Sequence, residues 1–284
     1  MIKVKIEFDY LSSLLSSYHI LCAPTEMNKK YNQEIFKTFS VSIEEQERYL
    51  TFLQSLKVNL DDTDSVRWRL FFEGNKTLDE LLNKNQKIIV SDKVQNNIKA
   101  FEKQFNPYFD TIKKSVEPFV PQKIKEIESS IENIYDTAYK FTGICIPRPW
   151  ELIYRIVEGA EPQAKGSDIT DGKGYVFAPP SDVVSHKITT LIHECVGHQT
   201  VDHLRKNMEE IFGSHIYEYE EGFVKLFSRE IAKVILKQYV NYGPSGELET
   251  LSFRTFEKNL YPQKGKFNEW YISCLKEINA EYKK

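Results

Sequence analysis

The sequence predicts a mainly helical α+β protein, and three patterns indicate this class. Residues 2–8 alternate apolar and polar side chains with the period of a half-buried strand. Residues 121–143 repeat apolar side chains at three- and four-residue steps, which is typical of an amphipathic helix. Residues 152–178 contain short apolar runs that proline and glycine interrupt, as strands and turns do. Because helical patterns fill most of the remaining chain, we expect helices around one small sheet.

The length and composition fit a protein with a packed core. At 284 residues the chain can form one large domain or two packed ones. Its apolar fraction of 41% and charged fraction of 28% are those of an ordinary globular protein. The net charge is -3 at pH 7 and the lysines form no basic block, so nucleic acid is not an expected partner.

The N-terminal segment and the cysteines favour a cytoplasmic protein. Glu7 and Asp9 interrupt the early residues before a signal-peptide core can form. No run approaches the roughly 18 apolar residues of a membrane span, so no membrane partner is expected. The four cysteines are far apart in the sequence and form no CxxC pair, which is typical of free thiols in a reducing compartment.

A change in composition near residue 145 predicts two regions. The segment GICIPRPW, residues 143–150, combines two prolines with a glycine. We expect a mainly helical region over residues 1–145 and a second region over residues 146–284. Two residue pairs in the first region fit capping boxes, in which side chains satisfy the free amides of a helix start: Ser42 with Glu45, and Thr77 with Glu80.

The second region is predicted to place a short strand before a core-facing helix. A turn at Asp171–Gly172 precedes the strand, Tyr175 to Ala178, and two prolines end it. Apolar side chains then recur at helical spacing, at Val184, Ile188, Leu191, Ile192 and Cys195. The segment LIHECVGHQT, residues 191–200, therefore lies on a helix that packs against the core.

Two histidines on that helix form the centre of a candidate metal site. His193 and His198 are five residues apart, which on a regular helix separates them by about 140°. Histidines four apart would differ by only about 40°, as in the familiar zinc-protease pattern. His193 and His198 can converge only if the helix is locally widened, as in a π-bulge. Gly197 precedes His198 and tolerates such a distortion.

A third ligand is expected from the next helix, which begins in EYEEGFVKLF, residues 218–227. Two helices joined by a short connection can bring this first turn beside the histidines. Glu221 is the preferred ligand and Glu220 the substitute, and the other acid would support the site or bind a substrate's amino group. Of the neighbouring side chains, Cys195 is interpreted as a buried thiol, and His186 and His203 as solvated groups or as groups that contact a metal ligand, whereas a site role for His215 stays open.

Glu194 directly follows the first histidine and suits proton transfer. In zinc hydrolases, a carboxylate in this position accepts the proton of the metal-bound water, whose pKa the metal lowers to about 7. Burying His193, Glu194 and His198 without a metal would cost several kcal/mol in desolvation. The pattern therefore favours a catalytic metal site.

These residues resemble motifs of known metallopeptidases. HECVGH matches the HExxGH form of dipeptidyl peptidase III-like metallopeptidases, which are gluzincins, and an HExxxH motif also occurs in microtubule-associated tyrosine carboxypeptidases. EEGF, residues 220–223, resembles the EEG-type segment of the latter family and the NEGF-type segment of zinc aminopeptidases. The resemblance covers roughly residues 170–235 at motif level. It departs from dipeptidyl peptidase III, whose second motif is EExxxE, because Val224 and Lys225 follow EEGF.

The resemblance implies a zincin-like catalytic region over residues 146–284 that binds one Zn²⁺ per chain. His193, His198 and Glu221 would be the ligands and Glu194 the general base. The expected function is a zinc metallopeptidase, a hydrolase of gluzincin type with a peptide or protein substrate. An edge strand, GYVFAPP, would pair with an extended substrate. The transition-state oxyanion would take its donor from one of four unranked candidates: Tyr239, Tyr242, Tyr261 and His215.

Two alternative functions remain open at the level of sequence. The chain could be an inactive metal-containing scaffold that uses its N-terminal half for partner recognition. Glu194 argues against this, because a structural zinc site needs no general base and usually fills all four positions with protein ligands, often cysteines. A metal hydrolase that acts on a non-peptide amide is the other alternative.

Overall fold

A computed structural model describes residues 2–55, 92–159, 167–170, 172–184, 188–214, 216–237, 243–244, 246–259 and 266–282. Among these residues, the first part of the chain forms one strand and six α-helices: β1 (Lys3–Phe8), α1 (Tyr10–Cys22), α2 (Glu26–Tyr31), α3 (Gln33–Thr38), α4 (Ile43–Ser55), α5 (Asp92–Val116) and α6 (Val120–Thr142). Three strands and a short helix follow: β2 (Glu151–Ile156), β3 (Ser167–Thr170), β4 (Lys173–Ala178) and α7 (Pro180–Val184). The last part is helical: α8 (Thr189–Leu191), a π-helix (Ile192–His198), α9 (Gln199–Phe212), α10 (Tyr217–Leu236), α11 (Glu247–Lys258) and α12 (Phe267–Tyr282). The predicted class, mainly helical with a small sheet, is confirmed for the described residues.

The four strands form one sheet in the order β1-β2-β4-β3. The first three are parallel, with Lys3 opposite Glu151 and Glu151 opposite Lys173, whereas β3 runs antiparallel to β4. The predicted strands at the N-terminus, after residue 151 and before residue 178 are therefore confirmed. Five of the six β2 side chains are buried, as expected for a parallel strand covered on both faces.

The expectation that the strand before the histidine helix lies at the sheet edge is wrong. That strand, β4, pairs with β2 on one side and with β3 on the other. The edge next to the π-helix is formed by β3, which precedes β4 across the turn at Gly172. Gly172 has a φ of 74°, which suits the glycine of such a turn, and Asp171 lies outside the described residues.

Two hydrophobic clusters form the core of the described residues, and the larger one contains residues from both sides of residue 146. The larger cluster combines β1 and α6 with the later strands, the π-helix and α9 to α12. The smaller one joins α1, α3, α4 and α5 through aromatic and aliphatic side chains. The proline- and glycine-rich segment near residue 145 forms the loop that leaves α6 at Gly143, where φ is 71°. Residues on both sides of that loop share one core.

Hydrogen bonds connect the two clusters around the end of β2. The Asp9 amide donates to the Ile156 carbonyl oxygen (2.9 Å), and the Glu158 amide donates to Ser13 Oγ (2.9 Å). The Tyr108 hydroxyl donates to Glu158 Oε1 (3.1 Å). This junction fixes the first helices against the sheet.

One of the two predicted capping boxes is confirmed. Ser42 and Glu45 form the predicted capping box, with amide-to-side-chain distances of 3.0 and 3.2 Å. The pair Thr77 and Glu80 lies outside the described residues. Among the helices that the structure describes, none has the length and apolar character that a bilayer crossing requires.

Candidate metal centre

The helix with the two histidines is widened where their spacing requires it. Residues Ile192–His198 form a π-helix between the α-helical segments α8 and α9. In a π-helix each amide bonds the fifth residue back, so side chains five apart lie on one side. The imidazole rings of His193 and His198 have centroids 5.0 Å apart and planes at 86°. The predicted local widening is thus confirmed, and it brings the two rings together.

Gly197 allows the π-helix to pack closely against α10. A Cβ at this position would lie 2.7 Å from Val224 Cγ1 and 3.2 Å from Ser228 Oγ. Its backbone is not in the left-handed region. The structure therefore gives Gly197 a different purpose from the predicted one, because the close approach of α10 excludes any larger side chain.

A second glycine fixes the position of the first turn of α10. At Gly222 a Cβ would lie 2.5 Å from the Glu249 carbonyl oxygen and 2.8 Å from the Phe253 amide nitrogen of α11. One turn later, Lys225 Nζ donates to Glu249 Oε1 at 2.5 Å in a buried ion pair between the same helices. These contacts hold α10 in one orientation and so determine where the preceding two glutamates lie.

The four side chains of the predicted site meet at one place. Ligand atoms of His193, Glu194 and His198 all lie within 4.8 Å of one another. Glu221 places Oε2 3.6 Å from His193 Nε2 and Oε1 3.1 Å from His198 Nε2. Donors held about 2.1 Å from a tetrahedral zinc ion are about 3.4 Å apart. Each Glu221 oxygen therefore lies near this separation from one imidazole nitrogen, with Oε2 facing His193 and Oε1 facing His198.

Glu220 contacts the opposite side of the His198 ring. Its Oε1 lies 3.0 Å from His198 Nδ1, and the carboxylate is 2% exposed. An imidazole that donates through Nδ1 presents its Nε2 lone pair to a metal, and carboxylates commonly accept that bond. Of the two glutamates that the sequence left open, Glu221 is the one beside both Nε2 atoms, whereas Glu220 orients His198.

Glu194 is close to the histidines but further from them than Glu221. Its Oε1 lies 4.0 Å from His193 Nε2, and its side chain is buried. A carboxylate at this distance can contact a water molecule between the imidazoles without displacing it. His193, Glu194 and His198 together could hold a metal ion, and Glu194 could equally contact a water molecule beside one.

Burial and mutual contacts shift the ionisation of the metal-free cluster. Burial, followed by the charge of His198, lowers the pKa of His193 to about 3. Burial also lowers the pKa of His198, but hydrogen bonds with Glu220 and Glu221 outweigh it and raise that pKa well above its ordinary value. For Glu221, burial raises the pKa and the hydrogen bond with His198 outweighs it, so the carboxylate stays ionised. Metal binding requires a neutral His193 and an ionised Glu221, which these shifts favour, and it also requires His198 to release the proton that its raised pKa retains.

Tyr217 belongs to the site, although the sequence reasoning did not select it. Its ring lies parallel to that of His198, at an angle of 5° and a centroid distance of 6.4 Å, and its hydroxyl hydrogen-bonds Glu221. The side chain is 53% exposed, so it lies at the solvent side of the centre. The signal was available, because Tyr217 is four residues before Glu221 and hence on the same helix face.

Other candidates from the sequence take no part in this cluster or cannot be placed. Cys195 is buried in the core, and burial raises the pKa of its thiol, which fits the predicted structural thiol. His203 is exposed on α9, as predicted. Five candidates lie outside the described residues: His186, His215, Tyr239, Tyr242 and Tyr261.

No protein-family model, curated protein or solved structure matches the chain.

Proposed function

We propose that the protein is a zinc-dependent metallopeptidase of gluzincin type. His193, His198 and Glu221 hold one Zn²⁺, and Glu194 is the general base. The observation that carries the proposal is the π-helix, since it brings two histidines five residues apart to the same carboxylate of α10. The function follows from this three-donor arrangement with an acid beside it.

The donor set favours zinc at a catalytic site. Two imidazole nitrogens and one carboxylate suit Zn²⁺, and three protein donors leave one tetrahedral position for water. Cys195, the cysteine inside the motif, is buried in the hydrophobic core and does not belong to the donor cluster. A structural site would more commonly use cysteines and complete all four positions from the protein.

The chemistry assigned to the chain is the addition of water to a peptide carbonyl. When bound, zinc lowers the pKa of a water in the open position and polarises the carbonyl oxygen. Glu194 accepts the proton from that water and transfers it to the leaving amine nitrogen. Its burial keeps bulk water from competing for the proton.

Tyr217 supplies the oxyanion donor in this proposal. Its hydroxyl lies beside Glu221 and its ring is open to solvent, so a substrate carbonyl at the metal can reach it. A donor aimed at the developing negative charge typically contributes about 10²–10³ in kcat. Tyr217 is the candidate among the described residues, whereas the four residues considered from the sequence lie outside them.

A peptide substrate is favoured by the position of β3. This strand forms the edge of the described sheet nearest the π-helix. An extended peptide can add to such an edge through backbone hydrogen bonds, which select little for side chains. The backbone of β3 would then lead the scissile bond toward Glu194.

Zinc content and hydrolysis test the proposal together. Wild-type protein is expected to contain one zinc per chain by elemental analysis and to cleave members of a diverse peptide library. Glu194→Gln should retain the zinc and lose about 10²–10⁴-fold of the hydrolysis rate, because it removes the proton acceptor but no ligand. Glu218→Gln is the matched control, since Glu218 is an exposed glutamate in the same first turn of α10.

Each alternative has its own outcome in this experiment. Glu194→Gln protein that hydrolyses peptides as fast as wild type would refute Glu194 as the base. Zinc-loaded wild type that cleaves no peptide would favour the scaffold, unless simple non-peptide amides are hydrolysed. The buried acid beside the donors is the reason to place the scaffold second.

A further inference from the structure

A line of charged side chains leads from His198 to the protein surface. Glu220 Oε1 lies 3.0 Å from His198 Nδ1, and Arg205 Nη2 lies 3.8 Å from the other Glu220 oxygen, Oε2. The same Arg205 nitrogen contacts Asp202 Oδ1 at 2.6 Å. The four side chains therefore form a continuous series in which neighbours have opposite charge or share a hydrogen bond.

The helical period explains why these residues meet. His198 ends the π-helix, and Asp202 and Arg205 follow it on α9 at spacings of four and seven residues. Residues at such spacings lie along one helix face. Glu220, in the first turn of α10, faces this row from the neighbouring helix. The arrangement uses two helices that already carry the proposed ligands.

Glu220 needs a partner for each of its oxygens. The residue is only 2% exposed, and a buried carboxylate is costly unless it is paired and hydrogen-bonded. His198 satisfies Oε1, and the Arg205 guanidinium faces Oε2. Arg205 itself is 43% exposed, so its charge remains partly hydrated and Asp202 holds it in place. The geometry gives Arg205 a function in fixing Glu220.

We propose that Arg205 is a positioning residue of the metal centre. It holds the Glu220 carboxylate so that Glu220 in turn holds the His198 ring with Nε2 directed at Glu221 and the ion. Asp202 orients the guanidinium. This inference rests on the proposed zinc site but not on peptide hydrolysis. Side chains that orient a metal-bound imidazole typically change metal affinity 10–100-fold when they are removed.

Zinc affinity of the full chain tests the role of Arg205. Arg205→Met, which keeps the aliphatic stem, should weaken zinc binding by about 10–100-fold in competition with a chromogenic chelator. Arg205→Lys should recover part of the loss, because it restores a charge without the planar geometry. Lys206→Ala is the control, since Lys206 is an exposed cation on the same helix, and it should bind zinc as wild type does.

A double variant separates positioning from general stability. If Arg205 acts through Glu220, Arg205→Met should weaken zinc binding little further in a Glu220→Gln background. Arg205→Met protein that binds zinc within twofold of wild type would overturn the inference. A double variant whose loss of zinc affinity equals the product of the two single-variant losses would also overturn it. Wild type that binds zinc without cleaving peptides would refute the proposed function, while the same affinities still decide the role of Arg205. Thermal unfolding of the metal-free variants confirms that each is folded.

Discussion

Replacing Gly197 by alanine is expected to destabilise the fold by forcing two helices apart. The added Cβ would lie 2.7 Å from Val224 Cγ1 and 3.2 Å from Ser228 Oγ. Carbon atoms in contact are normally about 3.5–4.0 Å apart, so the π-helix and α10 would have to separate by about 1 Å. Overpacking of this kind costs about 1–3 kcal/mol. For a domain of 150 residues or more, each kcal/mol lowers the melting temperature by about 2–4 °C.

The same displacement should weaken zinc binding. His193 and His198 lie on the π-helix and Glu221 lies on α10, so moving the two helices apart moves the donor atoms apart. The Glu221 oxygens are now 3.6 Å from His193 Nε2 and 3.1 Å from His198 Nε2. Metal sites tolerate deviations of only about 0.2 Å in their bond lengths, and we expect an affinity loss of about tenfold or more. Melting temperature without metal and zinc affinity by chelator competition are the two measurements.

Val224→Ala and Gly246→Ala complete this experiment. Removing the Val224 methyls opens the space that the new Cβ needs, so the double variant should recover at least about 0.5 kcal/mol relative to the sum of the single changes. Gly246→Ala is the control for an added methyl group, because a Cβ there would meet no atom of the described residues within 4 Å and φ is -129°. As the N-cap of α11 it should cost about 1 kcal/mol at most and leave zinc affinity unchanged. A Gly197→Ala variant that melts and binds zinc as wild type does would refute the packing argument. A Gly197→Ala/Val224→Ala double variant whose loss of stability equals the sum of the two single losses would also refute it.

Two further predictions concern Glu158 and Tyr217. Burial raises the pKa of Glu158 above its ordinary value of 4.5, and the hydrogen bond from Tyr108 offsets only part of this. The stability that Glu158 contributes is therefore complete below pH 4.5 and lost as pH rises through the folded-state pKa. Glu158→Gln should raise the melting temperature at pH 7 but not below about pH 4, and an equal gain at both pH values would contradict this. Tyr217→Phe should keep one zinc per chain and lower kcat by about 10²–10³. An unchanged kcat would remove Tyr217 from the mechanism.

The sequence was informative about the π-helix because local geometry alone determines it. His193 and His198 are five residues apart, and their convergence requires a widened turn wherever the helix lies in the fold. The strands were equally predictable from nearby residues, since the alternation of apolar and polar side chains and the positions of prolines indicate them. The pairing of Lys3 with Glu151 was not readable, because it depends on contacts between distant parts of the chain. Hence the edge position of β3 and the shared core across residue 146 appeared only in the structure.

The choice between Glu220 and Glu221 shows where sequence reasoning stops. Adjacent residues differ by about 100° around a helix, so either could face the histidines, depending on the rotation of α10. The contacts of Gly222 with α11 fix that rotation. The helical spacing that reveals Tyr217 was visible from the start, but its significance depends on knowing that Glu221 is the residue beside the imidazoles.

The position of β1 has a consequence for the order of events during synthesis. This strand leaves the ribosome well before its partner, β2, which begins 148 residues later at Glu151, the residue that pairs with Lys3. Until β2 has been synthesised, the backbone amides of β1 lack the strand with which they pair, and its apolar side chains remain unburied in the growing chain. Such long-range closure slows folding, so nascent chains are expected to recruit chaperones before β2 emerges and to be released soon afterwards.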